Sequence, residues 1–186
     1  INSTLHLKMY SWVGNNLKEL RAHIYCDADF AGCNATMRST SGVFLGIQGP
    51  NTRIALFGMS KKQHCVSHST PEAELVALDT GIRAAGIPLA EMLEILGINP
   101  KIILREDNTA AMRIVVTGRS NAIRHMGRTH KVSIAWLAER HNEGCFELEE
   151  TVSCEMAADI FTKYFPSNKS REWQNNLRLI GLFNAS

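Results

Sequence analysis

The stretch from Ala22 to Gly32, Ala-His-Ile-Tyr-Cys-Asp-Ala-Asp-Phe-Ala-Gly, constrains this chain more than any other. It reads as a buried strand that delivers carboxylates to its own end. Side chains alternate along an extended backbone, so Asp27 and Asp29, two positions apart, share one face. The apolar approach means that one of them is held where solvent would not normally leave a charge. A plain strand running into a polar turn at Asp29 to Gly32 would produce the same letters. Against that simpler reading stand three further isolated acids, each in an equally apolar setting downstream.

The 186 residues suffice for one domain that buries roughly 70% of the surface its unfolded form exposes. No apolar run approaches the ~20 residues needed to span a bilayer, so no membrane partner is expected. The first residues, Ile-Asn-Ser, show neither an initiator Met nor a signal-peptide pattern, and the chain reads as a piece of something longer. Five cysteines, at 26, 33, 65, 145 and 154, are odd in number and lack Cys-x-x-Cys spacing. Free thiols fit an intracellular, reducing compartment. His64, Cys65 and His68 suggest a soft-metal cluster, but no second pair lies at finger spacing.

The first 21 residues form a lead-in with one alternating run, Leu5 to Tyr10. Val43 to Gln48 and Arg53 to Ser60, separated by turn residues, complete a three-stranded antiparallel meander with the first strand. Ser69 then predicts a helix N-cap, with Glu72 as its capping-box partner and Pro71 in the first turn. Leu75, Leu78, Ile82, Ala85, Leu89, Leu93 and Leu96 form the core-facing stripe, and Pro88 should kink or split the helix. At about 100° per residue, Glu74 falls roughly 50° from the stripe's centre, whereas Glu72, Glu91 and Glu94 fall more than about 100° away. Of these four acids, only Glu74 is expected to face inward.

Lys101 to Glu106 reads as a strand ending in Arg-Glu-Asp-Asn, followed by a helix from Thr109 to Val116. Asp107 thus sits at a strand's end, although Asp107 or Asn108 would also serve as the cap of that helix. A helical stretch from Met126 to Glu139, a strand from Cys145 to Thr151 and a short helix from Glu155 to Tyr164 follow. The last of these places Asp159 among apolar neighbours. This order predicts an α/β fold: a mixed sheet, antiparallel on one side and parallel on the other, with helices on both faces.

Asp27, Glu74, Asp107 and Asp159 lie on four different elements, each near an element's end. If they converge, cations must neutralise them, because like charges cannot share a low-dielectric site. Oxygen-only ligation points to Mg2+ or Mn2+, and two such ions suit in-line displacement at a phosphodiester. The implied substrate is a nucleic acid.

Seven ordered blocks now support a family resemblance: Tyr25-Cys-Asp-Ala-Asp-Phe-Ala-Gly32, Arg38-Ser-Thr-Ser-Gly-Val-Phe44, Ser60-Lys-Lys-Gln63, Ser69-Thr-Pro-Glu-Ala-Glu-Leu-Val-Ala-Leu78, Glu106-Asp-Asn108, Arg128-Thr-His-Lys131 and Ala158-Asp-Ile-Phe-Thr-Lys163. Over residues 20–166 the chain resembles the ribonuclease H domain of copia-type LTR retrotransposon polyproteins. The resemblance implies a ribonuclease H-like fold with a five-stranded mixed sheet. It also implies two-metal hydrolysis of the RNA strand of RNA–DNA hybrids during reverse transcription, beside the reverse transcriptase portion of the same polyprotein. In such a particle-forming element the domain would work in the cytoplasm or the nucleus. By motif position Asp27, Glu74, Asp107 and Asp159 match the catalytic, metal-holding quartet. Phe30 stands where the family has Trp, Cys33 where it has an acid, and His68-Ser-Thr-Pro-Glu-Ala-Glu-Leu75, with its Pro71, where the family has a Ser-Ser-Thr-Glu-Ala-Glu-Tyr run. The division that follows is a lead-in at 1–21, a ribonuclease H-like domain at 22–166 and a C-terminal tail at 167–186.

Charge supplies a separate argument. A net charge of +2 indicates no particular partner, but from Asn108 through Ala138 there is no acid, while Arg113, Arg119, Arg124, Arg128 and Lys131 are basic. Arg124, Arg128 and Lys131 are candidates for holding backbone phosphates without reading sequence, the alternative being a solvated helical face. Ser69, Thr70 and Asn108, flanking two quartet positions, are candidates for minor-groove contact with 2′-hydroxyls. Two rivals remain: a non-catalytic scaffold module of the same fold, and another nuclease or integrase of the wider superfamily.

Overall fold

The computed structural model describes residues 4–99, 101–165 and 170–184. Its centre is a five-stranded mixed sheet of order β4-β3-β2-β5-β6, built from β2 (Arg21–Asp29), β3 (Thr40–Gly49), β4 (Thr52–Lys62), β5 (Lys101–Glu106) and β6 (Glu147–Glu150). β2, β3 and β4 form the expected antiparallel meander, whereas β5 and β6 join in parallel after helical crossovers. This is the five-stranded mixed α/β sheet that the motif blocks imply.

Alternation along β2 divides the protein. Ala22, Ile24, Cys26 and Ala28 face the main core, where α1 (Thr70–Gly81), α2 (Ile87–Ile95), α3 (Thr109–Thr117) and α5 (Ile134–Asn142) bring Leu75, Leu78, Leu89, Val115 and Leu137 against them. Tyr25, with Phe44 of β3, faces the other side, covered by Met156, Ala157, Ala158 and Ile180. α1 lies so close to β2 that a Cβ at Gly81 would stand 2.5 Å from Cys26 Sγ. Gly42 is equally constrained, because a Cβ there would meet Thr162 Cγ2 at 2.6 Å and the Ala158 carbonyl oxygen at 2.9 Å. Gly42 pairs with Asp27 across the ladder, so its missing side chain lets the segment bearing Asp159 settle beside Asp27.

Several local expectations are corrected. Ser69 caps α1, its hydroxyl accepting from Glu72 N–H at 3.4 Å, but the reciprocal half of the capping box is absent because the Glu72 carboxylate is engaged elsewhere. Pro88 does split the long helix: a π turn at Ile82–Gly86 precedes it, with Ile87 N–H reaching back to the Ile82 carbonyl. Proline cannot donate to its own i−4 carbonyl, and the wider turn absorbs the mismatch. The single stretch from Met126 to Glu139 is two helices, α4 (Met126–Thr129) and α5, since Lys131 adopts φ 61° and Ser133 starts a fresh cap on Trp136 N–H. The helix expected over Glu155 to Tyr164 is a pair of 3-10 turns, Ser153–Glu155 and Ala157–Phe161.

The lead-in and tail segments meet each other. β1 (Leu7–Met9) pairs antiparallel with β7 (Leu182–Asn184), α6 (Arg171–Leu179) packs near the 3-10 turns, and Arg53 donates to the Leu179 carbonyl at 2.5 Å. The expected boundary at 166 and 167 lies outside the described residues. Among the described residues no helix is long and apolar enough to cross a membrane.

Candidate active site

Asp27, near the end of β2, is 5% exposed and faces the Tyr25 side, whereas Asp29 is used structurally, accepting from Thr40 N–H across the hairpin. The parallel register runs as far as Tyr25 opposite Arg105, so continuing it brings Asp107 level with Asp27. Glu74, 3% exposed in the second turn of α1, arrives from the other face of the sheet. Ligand atoms of Asp27, Glu74 and Asp107 all lie within 4.8 Å of one another. Three of the four acids singled out in the sequence thus converge at one end of the two central strands.

Asp159 is placed differently. It lies in the 3-10 turn Ala157–Phe161, 3% exposed, with Oδ2 at 2.6 Å from Lys163 Nζ. Its neighbour Thr162 donates to Asp27 Oδ2, which ties this turn to the end of β2. The convergence group found among the described residues contains Asp27, Glu74 and Asp107 but not Asp159. Asp159 and Lys163 line an open cleft of about 880 Å³ with Ser153, Arg171 and Asn175.

The electrostatics reflect crowding. Burial, then the charges of Glu106, Asp27 and Asp107, push the Glu74 carboxyl up to about 10. Burial likewise raises Asp27, against the opposing hydrogen bond from Thr162 and the charge of Lys163. Asp159 is raised to about 6 by burial, with Asp27 and Asp107 adding to it and Lys163 opposing. Glu74 Oε2 and Asp159 Oδ1 are buried oxygens without a hydrogen-bond partner. An all-oxygen donor set with such unpartnered, mutually repelling carboxylates fits a hard divalent cation.

Four residues at this end were not singled out for the site in the sequence. Glu106 is wholly buried, with Oε1 accepting from Asn108 N–H at 3.0 Å, Oε2 unpartnered, and a carboxyl pushed well up by burial and the neighbouring acids. Its signal was present: Glu106 follows the core residue Leu104 by two positions on one strand. Ser153 donates to Asp107 Oδ2 at 3.0 Å, and nothing local marked it. Thr162 and Lys163, three and four residues after Asp159, were within a recognised block, but their role depends on the turn being packed against β2.

The candidate substrate residues divide in two. The Ser69 and Asn108 side-chain oxygens cap α1 and α3, Asn108 accepting from Ala111 N–H at 3.0 Å, so the cap reading holds for both. Thr70, Arg124, Arg128 and Lys131 are exposed. Among the described residues His64, Cys65 and His68 form no metal-type cluster; the Cys65 thiol donates to the Thr129 carbonyl instead.

Over 148 residues the chain is 30% identical to the Retrovirus-related Pol polyprotein from transposon TNT 1-94 of Nicotiana tabacum. The chain is similar to a retrotransposon polyprotein. That likeness bears out the resemblance read from the motif blocks; it covers 78% of this chain and spans 10% of the polyprotein's length. No family model matches the chain. Solved structures similar to it include RNase H1 from Halobacterium salinarum NRC-1 (TM-score 0.47, 15% identity, covering 76% of this chain and 94% of that one). The PFV RNase H domain is another (TM-score 0.48, 11% identity, 88% and 90%), as is LC11-RNase H1 in complex with an RNA/DNA hybrid (TM-score 0.43, 18% identity, 76% and 94%).

Proposed function

We propose that this chain is the ribonuclease H domain of a copia-type LTR retrotransposon, hydrolysing the RNA strand of RNA–DNA hybrids during reverse transcription. The observation behind this reading is the convergence of Asp27, Glu74 and Asp107 within 4.8 Å at the end of two neighbouring strands. Asp27, Glu74 and Asp107 would hold Mg2+ or Mn2+, and Asp159 would join them on exchanging Lys163 for a metal. Two such ions, when bound, supply an activated water and stabilise the developing charge on the phosphodiester. Thr162 orients Asp27 by hydrogen bonding, and Ser153 does the same for Asp107. The reverse transcriptase portion of the same polyprotein would be its covalent neighbour. The free thiols of Cys26, Cys33, Cys65, Cys145 and Cys154 accord with work inside the cell.

One observation favours a second reading, a catalytically silent scaffold of the same fold: Asp159 stands outside the convergent trio, paired with a lysine. Cleavage of a labelled RNA–DNA hybrid with Mg2+, set against double-stranded DNA and single-stranded RNA, separates the two. Hybrid-selective cleavage is expected. No cleavage of any substrate would leave the scaffold reading.

Arg124, Arg128 and Lys131 would grip backbone phosphates. Each phosphate contact releases counterions and conveys no base information, so hybrid affinity should fall steeply with salt and be indifferent to sequence. Arg124→Ala and Arg128→Ala are each expected to reduce the salt slope by about one. Titrations at several salt concentrations check this, and an unaltered slope in both variants would remove the basic segment from substrate binding.

A further inference from the structure

The helical-face arithmetic directed Glu72 outward, yet it is wholly buried. The stripe from Leu75 to Leu93 lies in the main core as expected, whereas Leu96 at its end is 64% exposed; the opposite side of α1's first turn is covered by residues 123–132. Glu72 Oε1 accepts from His125 Nε2 at 3.0 Å and from His130 Nε2 at 2.9 Å, while Oε2 accepts from His68 N–H at 3.0 Å. Burial alone would raise this carboxyl; the hydrogen bonds from His68 and His125 and the two imidazoles outweigh it and leave it lowered.

We propose that Glu72 is a positioning residue for hybrid binding, whose two histidine contacts hold the basic segment at a set place relative to the metal-binding end of α1. This inference rests on the function proposed above. A buried polar cluster is a poor way to gain stability and a good way to specify register. Here the register concerns a short, irregular stretch with little structure of its own. Ile123, Met126 and Val132 anchor it in the main core, and between them Arg124, Arg128 and Lys131 point to solvent. Lys131 takes φ 61°, a strained value for a side-chain-bearing residue, directly after His130, whose side chain is buried against Glu72. Such strain persists only where the surroundings over-determine it, and the His130 contact is the evident restraint.

Four ties join the segment to the chain just before and within α1: His125 on Glu72, His130 on Glu72, the edge-on His68–His125 ring pair at 5.5 Å, and the Cys65 thiol on the Thr129 carbonyl at 3.1 Å. Glu74, two residues beyond Glu72 on the same rigid helix, reaches the carboxylate trio. α1 therefore acts as a ruler between the site of cleavage and the cations that hold phosphates. In this inference the ties act on the hybrid through Arg124, Arg128 and Lys131.

The test uses the whole chain with a fluorescent RNA–DNA hybrid, by anisotropy without divalent cation and by steady-state cleavage with Mg2+. Glu72→Gln is expected to weaken binding by about three- to tenfold and raise KM in step, with kcat little changed, a loss in the range seen for coupled groups. His125→Ala removes a partly exposed partner and covers the case in which Glu72→Gln fails to fold; His125→Gln, which keeps an N–H donor, should restore affinity. Arg128→Ala should cost much less in the Glu72→Gln or His125→Ala background than alone, because a misplaced arginine has less to lose. Unchanged affinity in folded variants, or additive losses, would overturn the inference while hybrid binding by the unaltered protein upheld the function. Absence of hybrid binding by the unaltered protein would overturn both.

Discussion

Asp27→Asn is expected to lower Mg2+-dependent hybrid cleavage by at least ~10³-fold, because several kcal/mol of charge stabilisation at the phosphodiester depend on the cations this group would hold. The same substitution should leave the melting temperature without divalent cation unchanged or higher. Asp27 is buried, and burial together with Asp107 and Asp29 makes its charge costly. Asparagine removes that charge and keeps an oxygen to accept from Thr162. Activity and stability therefore move in opposite directions. Hybrid cleavage and thermal melting on the same preparations check both halves. An unaltered protein that cleaves no faster than the variant would establish the scaffold reading, and a large drop in melting temperature would make Asp27 chiefly a structural residue.

The second large effect is on stability against pH, with and without Mg2+. The Glu74 carboxyl is pushed up to about 10 in the folded protein, against 4.5 for an unperturbed glutamate. Between those limits the folded state keeps a proton that the unfolded state has released. The contribution of Glu74 to stability without divalent cation should therefore be fully present below about pH 4.5 and be lost as pH rises toward 10, with a slope of at most about 1.4 kcal/mol per pH unit. Asp159, raised to about 6, adds to the decline between 3.8 and 6. Metal ligation needs the deprotonated carboxylates, so Mg2+ should release protons on binding and stabilise increasingly as pH rises. Melts from pH 5 to 9, with and without Mg2+, beside Glu74→Gln, test this. Glu74→Gln should flatten the metal-free profile and abolish most of the Mg2+ effect; a profile identical to that of the unaltered protein would show that Glu74 is not the buried proton carrier.

Where the sequence was legible, neighbouring residues in the chain supplied the signal. Period-two alternation marked β2 and the meander, Ser69 marked the start of α1, and the 100° rule selected Glu74 for the interior. Asp27 and Asp107 were legible for the same reason, as acids at the ends of apolar strands. The resemblance read from the motif blocks agrees with the likeness of the chain to a retrotransposon polyprotein. What failed was local inference about faces that other segments cover.

The sequence by itself determined the mixed α/β sheet, the elements that bear Asp27, Glu74 and Asp107, and the acid-free basic stretch, since each follows from side-chain periodicity, capping and composition within a few residues. Only the tertiary structure decided that Glu72 is buried, because His125 and His130, 53 and 58 positions away, close over the face of α1 that the sheet leaves open. It alone set Asp159 against Lys163 rather than in the carboxylate trio, through a turn packed on the bare backbone of Gly42. It also paired Leu7 with Asn184, the two ends of the described fold. The physical reason is the same in each case: periodicity tells a residue which way to point, while burial and charge pairing depend on what another part of the chain brings to that place.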